Sequence, residues 1–425
     1  MQSATTPIHI SPAARLVQPG LMEALHAAGS GRASNDGPSG LEVVSGDDPP
    51  RTETWVRLSH AVEPCLTIHA RQRATATHPA FDLAFDTPDL RFAAAILAQL
   101  ARGETVPTAA DPNSVALNRL ARRVASSPVT VMINGPTGSG KEVLARHIHA
   151  SSGRRNGPLV AVNCAALPEA MLEALLFGHE RGAFTGAAGA AKGLFRAAEG
   201  GTLLLDEVTE LPIGLQAKLL RALQEREVLP IGATMPQKID VRIIAAANRD
   251  LVAEVSAGRF RADLYYRLAV FPLTTTALVT RPADIVPLAA ALWLKFGGQA
   301  WPTPAALEAL EGHSWPGNVR ELANVLQRAL VLSDGVRIHR RDIVFDTQPN
   351  AADPPLSLGC HVRAREFAVI RSTLADCAGR RGDTARRLGI SERTLRYKMA
   401  AMSMLGLMPG SGSSGQGAAT ALTLQ

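Results

Sequence analysis

Short apolar runs alternate with longer helix-patterned segments between about residue 112 and residue 345. The runs fall at 129–133, 159–162, 202–205 and 241–246. Strand-type runs alternating with helices predict a parallel sheet covered by helices on both faces. Residues 346–359, DTQPNAADPPLSLG, read as a Pro-rich linker. From His361 to about Leu405 the pattern is helical throughout, and 409–425 is a Gly/Ser/Ala tail with little reason to fold.

The first 107 residues carry the weakest pattern. Residues 29–50 are rich in Gly, Ser, Pro and Asp and read as a loop or a disordered stretch. Within them a short apolar run, 41–44, precedes Asp47 and Asp48, like the acidic end of a phosphoacceptor strand. Too little chain remains before residue 107 for the later strand–helix pairs of such a domain. A small degenerate regulatory module, or a mostly structural segment, is the expectation.

The run at 129–133 leads through Asn134 into Gly135, Pro136, Thr137, Gly138, Ser139, Gly140, Lys141 and Glu142, followed by the helix-forming stretch 143–148. Strand, glycine loop, Lys and helix in this order form a phosphate-binding loop. The glycines let backbone N–H groups curl around phosphate oxygens, and Lys141 neutralises the β- and γ-phosphates at a helix N-terminus. Glu142 stands where Ser or Thr is usual, so a metal must lean on other ligands. A second buried run, 200–205, ends in Asp206 and Glu207. Asp206 suits Mg²⁺, directly or through water, and Glu207 suits orientation of an attacking water.

Charge sharpens the reading of the C-terminal helices. Residues 361–400 hold ten Lys and Arg against four Asp and Glu, which equals the whole net charge of +6 of the 425-residue chain. A compact basic segment is the footprint of a nucleic-acid reader. Within it, residues 382–399 have helix-turn-helix form: a first helix over 384–388, a turn at Gly389, and Ser391 capping the second helix. Leu388, Ile390, Leu395 and Met399 are spaced to pack inward, leaving Glu392, Arg393, Arg396, Tyr397 and Lys398 toward a major groove. The four cysteines are scattered without a CxxC pair, so neither a zinc site nor a disulfide framework follows. Neither a signal peptide nor a membrane span is expected, which predicts a cytoplasmic protein.

One further motif is specific. Residues 182–187, Gly182, Ala183, Phe184, Thr185, Gly186 and Ala187, spell GAFTGA. Around it stand VNCAAL at 162–167, LQAKLLRALQ at 215–224, FRADLYYR at 260–267 and WPGNVRE at 315–321. Together these resemble the sigma-54-dependent bacterial enhancer-binding proteins, AAA+ ATPases that carry a Fis-type helix-turn-helix. The resemblance runs from about residue 112 to 400. It implies an α/β P-loop NTPase with a helical lid, an all-α DNA-binding domain and a poorly defined N-terminal region. The expected division is 1–107 regulatory or degenerate, 108–275 α/β ATPase, 276–345 lid, 346–359 linker, 360–405 helix-turn-helix and 406–425 tail.

The resemblance also implies roles. ATP and Mg²⁺ are the expected cofactors. Asn163 is the switch residue that holds Glu207, Asn248 is sensor I, and Arg320 is sensor II. Arg261 and Arg267 are arginine fingers that enter a neighbouring subunit's site. The GAFTGA loop contacts sigma-54 RNA polymerase, and its glycines let the exposed Phe184 stand away from its support. A dimer on an inverted-repeat enhancer and an active ring of about six subunits follow, with no membrane partner. A short non-receiver N-terminus most resembles activators of flagellar genes. Departures are Leu175 for a second acid, Ala247 for the Thr before Asn248, and 278–281 reading LVTR with one Arg missing. They leave open two rivals: a DNA-bound regulator without productive ATP turnover, and a remodeller of other substrates.

Overall fold

The computed structural model describes residues 8–11, 14, 18, 20–28, 41–45, 55–61, 63–69, 80–102, 105–184, 189–345, 373 and 381–387. The chain divides into two compact units, 1–345 and 346–425.

The ATPase part of the first unit is built on five parallel strands in the order β14-β6-β13-β10-β7. They are β6 (Val131–Asn134), β7 (Leu159–Asn163), β10 (Thr202–Asp206), β13 (Arg242–Ala247) and β14 (Phe271–Thr274). Every run expected as strand is one, and the reason is visible in the packing. Successive strand residues point to opposite faces. Leu203 and Leu205 enter one core with Ile243 and Ala245, while Leu204 enters the other with Ile244. A strand buried on both faces must be apolar at every position. Helices α3 (Pro112–Ala125) and α4 (Lys141–Ala150) cover one face. Helices α5 (Glu169–Phe177), α7 (Ile213–Glu225) and α9 (Ala262–Leu268) cover the other, with α6 (Leu194–Ala197) and α8 (Leu251–Ser256) between them. Arg242, 3% exposed, donates to the carbonyls of Ala125 (2.8 Å) and Val124 (3.1 Å), closing the C-terminus of α3 with a cation where helix carbonyls lack partners.

The lid consists of α10 (Ile285–Lys295), α11 (Pro304–Glu311) and α12 (Asn318–Leu332), closed by a parallel pair of short strands, β15 (Trp301–Pro302) and β16 (Arg337–Ile338). Thr303 caps α11, its Oγ1 accepting the Ala306 N–H at 3.3 Å, with Pro304 at the first helical position.

The described N-terminal residues form more regular structure than their sequence suggests. They form a second sheet, β1-β2-β3-β5-β4, from β1 (Ile8–Ile10), β2 (Leu41–Ser45), β3 (Trp55–His60), β4 (Cys65–His69) and β5 (Ala80–Phe85). Only the edge strand β4 runs antiparallel. Strand β2 lies inside the stretch 29–50 that reads as loop; Asp47 and Asp48 fall outside the described residues. Ile8, Ile10, Leu41, Val43, Val56, Leu58, Leu83 and Phe85 all enter one core with helix α1 (Leu21–Ala27) and helix α2 (Leu90–Arg102), whereas Arg57 and Ser59 between them are exposed.

Helix α2 is buried nearly all round, including Phe92, Ile96, Leu97 and five alanines. Its polar residues Arg91, Gln99 and Arg102 share a narrow stripe, and the seven consecutive buried residues 92–98 span a face wide enough for two apolar neighbours. One is the N-terminal sheet and the other is α10 of the lid. Phe92 meets Trp293 and Trp301 edge-on at 5.8 and 5.4 Å, and the core of the N-terminal module continues without a break into the lid. Asp89, 2% exposed, adds a two-pronged pair with Arg337 at 2.6 and 3.0 Å.

In the second unit, helix α13 (Arg381–Arg387) begins three residues before the expected first helix of the DNA reader, with Thr384 and Ala385 buried. Ser391, Glu392, Arg393, Arg396, Tyr397 and Lys398, the linker and the tail lie outside the described residues, as do Thr185, Gly186 and Ala187.

Candidate functional site

The phosphate loop leaves the C-terminal end of β6 and enters α4. Gly135, Gly138 and Gly140 have φ of +148°, +74° and +101°, where side chains are strained. A Cβ on Gly135 would also lie 2.1 Å from Thr275 Oγ1. Gly135 N–H donates to the Ala247 carbonyl at 3.2 Å, and Ser139 Oγ lies 2.7 Å from Thr275 Oγ1, so the loop is pinned to the ends of β13 and β14. Pro136 and Thr137 are exposed. Lys141 Nζ donates to the carbonyls of Gly135 (2.8 Å) and Pro136 (3.0 Å). Burial lowers its pKa, opposed by the carboxylates of Asp206 and Glu207. Glu142 is exposed and pairs with Arg146 one turn on at 2.7 Å, so its carboxylate is engaged on the solvent side of α4.

The two acids end β10, two strands from the phosphate loop. Register pairs Asp206 with Asn163 on β7, and Ala247 of β13 with Asn134 on β6, so these groups share the C-terminal edge of the sheet. Burial raises the pKa of Asp206, opposed by the Glu207 N–H (3.0 Å to Oδ1) and by Lys141. Glu207 adopts a left-handed conformation (φ 54°), rare for a residue with a side chain. Asn163 Oδ1 accepts the Ala165 N–H at 2.8 Å, so its carboxamide is folded onto its own loop, with no hydrogen bond to Glu207 among the described residues. Next to it, burial pushes the Cys164 thiol up to about 12, leaving it inert. Asn248, at the end of β13, meets Thr209 Oγ1 at 3.4 Å.

Arg320, on the first turn of α12, is exposed and faces the phosphate loop: a Cβ on Gly138 would lie 3.2 Å from Arg320 Cβ, and its charge acts on Lys141. Arg261 grips Asp263 with two bonds of 3.0 and 2.7 Å, and Arg267 donates to the Leu223 carbonyl at 2.9 Å. Both are exposed at the surface of the subunit. Of the departures, Leu175 and Val279 are exposed at 38% and 52%, whereas Ala247 is buried at the end of β13, where its carbonyl accepts the Gly135 N–H.

Three side chains that sequence reasoning passed over organise this edge. Gln216, fully buried, donates to the carbonyls of Leu211 and Arg259 and accepts the Arg261 N–H at 2.9 Å, fixing the backbone beneath Arg261. Asn318 and Arg281, both from the lid, reach the phosphate loop. Asn318 lies inside the WPGNVRE motif, and its φ of +55° is a local reason for Asn there.

The GAFTGA loop rises from a minimal ladder, β8 (Gly178–His179) against β9 (Ala191–Lys192). It leans on a second hairpin, β11 (Glu227–Val228) with β12 (Gln237–Lys238): Glu180 N–H donates to Ile231 O and Ile231 N–H to Gly178 O, each at 2.9 Å. Gly182 has φ of +78°. Phe184 is 45% exposed, and its ring meets the edge of His179 at 4.9 Å.

Comparison with known proteins agrees with this architecture. Residues 108–274 match the sigma-54 interaction domain, 280–356 the AAA+ ATPase lid domain, and 362–402 the bacterial regulatory proteins of the Fis family. The chain is 50% identical over 338 residues to the response regulator protein FleR of Pseudomonas aeruginosa, covering 72% of each chain. It is 43% identical over 354 residues to the transcriptional regulatory protein FlbD of Caulobacter vibrioides, covering 78% of each. Among solved structures, NtrX from Brucella abortus in complex with ATP is similar with a TM-score of 0.55 and 26% identity, over 94% of this chain and 99% of that one. The chain belongs to the sigma-54-dependent transcriptional activators, AAA+ ATPases with a Fis-type helix-turn-helix. It binds nucleotide, hydrolyses ATP, binds DNA and acts on sigma-54 RNA polymerase. Among the described residues no helix is long and apolar enough to cross a membrane.

Proposed function

We propose that this chain works in the cytoplasm, binds inverted-repeat enhancers as a dimer, and assembles an ATP-driven ring of about six subunits that remodels the closed promoter complex. The observation that carries this reading is one pairing: Lys141, Asp206 and Glu207 gather at one sheet edge, while Phe184 is held out in solvent on a separate hairpin-based loop. Chemistry and partner contact are thus separate parts of one subunit.

In this reading the backbone of Gly135, Pro136, Thr137, Gly138, Ser139, Gly140, Lys141 and Glu142 cradles the phosphates. Lys141 leaves the two loop carbonyls that now hold it and turns its charge to the γ-phosphate. Mg²⁺ fits Asp206, a half-buried carboxylate beside a second acid, and supplies neutralisation of phosphate charge. Glu207 orients the attacking water and takes its proton, its left-handed backbone conformation being held by the surrounding structure. Asn163 exchanges its turn with Ala165 for Glu207 when nucleotide is sensed. Asn248 and Arg320 read the γ-phosphate from the sheet and the lid. Arg261 and Arg267 release Asp263 and the Leu223 carbonyl to enter the neighbouring subunit's site. Gly182, Ala183, Phe184, Thr185, Gly186 and Ala187 contact sigma-54. Ser391, Glu392, Arg393, Arg396, Tyr397 and Lys398 read DNA. The division into 1–107, 108–275, 276–345, 346–359, 360–405 and 406–425 is the domain plan we adopt. Flagellar genes are the proposed targets, on the resemblance of the overall pattern to activators of that class.

Two variants test the separation. Lys141→Ala loses ATP binding. Phe184→Ala keeps most ATPase activity yet does not bind sigma-54 when a transition-state analogue is present. Open-complex formation by Phe184→Ala at the unmodified rate would refute the role of the loop. Promoter-occupancy mapping in the native cell tests the proposed targets, and absence of flagellar promoters from the map would reject them.

A further inference from the structure

We propose that Asn318 and Arg281 are positioning residues for the nucleotide: lid side chains that hold the carbonyls of the phosphate loop and thereby aim its N–H groups. The inference rests on the reading of residues 135–141 as the phosphate cradle.

Three consecutive loop carbonyls are held by the lid. Asn318 Nδ2 donates to the Thr137 carbonyl at 3.0 Å, the Val319 N–H donates to the Gly138 carbonyl at 3.0 Å, and Arg281 donates to the Ser139 carbonyl at 2.7 Å. A trans peptide is planar, so its N–H points opposite to its C=O. Holding the carbonyls of 137, 138 and 139 therefore sets the directions of the N–H groups of Gly138, Ser139 and Gly140, the groups a phosphate would accept from. In this state the Ser139 N–H closes a long turn onto the Pro136 carbonyl at 3.3 Å. The lid also approaches without a gap: a Cβ on Gly138 would lie 2.5 Å from the Gly317 carbonyl.

Both side chains are built in at a cost. Asn318 is 3% exposed with φ of +55°, a conformation that glycine adopts more easily. Glycine would satisfy the backbone and lose the clamp. Asn318 Oδ1 also accepts the Leu278 N–H at 2.7 Å, which ties the clamp to the segment leading to Arg281. Arg281 is 8% exposed, between the Ser139 carbonyl and the Asp284 carboxylate at 3.6 Å. Asp284, fully buried, is in turn held by the Ala110 N–H (2.6 Å), the Asp111 N–H (2.8 Å) and Ser114 Oγ (2.5 Å). A buried ion pair contributes little net stability; here it sets where the Arg281 guanidinium lies. The chain of contacts runs from the segment entering α3, through Asp284 and Arg281, to the cradle. With Val279 exposed where the related motif carries Arg, Arg281 is the one guanidinium of this segment on the loop.

The test uses the full chain, a fluorescent ATP analogue, steady-state ATPase kinetics and the melting temperature of the nucleotide-free protein. Asn318→Asp keeps the acceptor for Leu278 and loses the donor to Thr137. Asn318→Gly keeps the left-handed backbone and loses every side-chain bond, including a long one to the Pro316 carbonyl at 3.4 Å. Arg281→Gln loses the charge, and Arg281→Lys retains it. Loss of one net hydrogen bond predicts a rise of roughly three- to tenfold in the dissociation constant and KM for ATP. Saturated turnover should stay within about twofold, with partial recovery in Arg281→Lys. Unchanged ATP affinity in Asn318→Asp, Asn318→Gly and Arg281→Gln, with Lys141→Ala unable to bind, overturns the inference. A lowered melting temperature with unchanged affinity overturns it as well, since the contacts would then only seat the lid. Normal ATP binding by Lys141→Ala instead overturns the phosphate-loop reading beneath it.

Discussion

Replacing Phe92 with alanine should damage the lid although residue 92 belongs to the N-terminal module. The ring is 1% exposed and stands edge-on to two tryptophans of the lid, Trp293 (2% exposed) and Trp301 (fully buried). Removing a buried phenylalanine costs about 3–5 kcal/mol in transfer and cavity terms. Two rigid indoles cannot collapse into the space, which places the loss toward the upper end of that range. A domain of ordinary stability has about 5–15 kcal/mol in all, so the variant should be severely weakened and still measurable. Urea unfolding of the full chain, followed by tryptophan fluorescence, gives the free energy, and hydrogen exchange locates it. Exchange should accelerate in α10 and in α2 together, because one core joins them. A control, Val331→Ala at an 81% exposed position, should change stability by less than about 0.5 kcal/mol. A Phe92→Ala loss under about 1 kcal/mol, or full protection of α10 with loss confined to residues before 102, would show that the module and lid are separate bodies.

Glu207→Gln should bind ATP with native affinity and turn it over about a hundredfold or more slowly, because the group that accepts the water's proton is gone; phosphate release measured beside nucleotide binding decides it, and full turnover rejects the assignment. Arg267→Ala alone should be strongly impaired, since a trans guanidinium is worth about a thousandfold or more in related phosphoryl transfer. Mixing it with Lys141→Ala should restore activity in mixed rings, and specific activity independent of protein concentration with no rescue would contradict a shared site. DNA affinity should fall steeply with salt and vanish on truncation at Asp353 while ATPase activity remains. Arg393→Ala should cost about 1–3 kcal/mol if it reads a base and should then relax specificity at one position. Native enhancer affinity in the truncated chain, by gel shift, would place the DNA reader elsewhere.

The parallel sheet, the phosphate loop and the two acids were legible in the sequence because each is a local pattern with a local cause. A strand buried on both faces must be apolar throughout, as Leu203, Leu204 and Leu205 are, and a chain that turns at φ of +74° and +101° needs Gly138 and Gly140. The GAFTGA loop was legible for a related reason: an aromatic between glycines, set on no apolar pattern, has no core to enter. The N-terminal module was not legible. Its strands are short, its parallel neighbours are far apart in sequence, and the masking Gly/Ser/Pro composition of 29–50 hid β2. Nor could periodicity reveal that α2 faces two partners, because a wide apolar face specifies burial without saying by what. The clamps of Asn318 and Arg281 on the phosphate loop join residues 181 and 142 positions apart. Sequence sets which side chains can donate and which backbones can bend; only the closure of the lid onto the sheet decides that those donors meet these carbonyls.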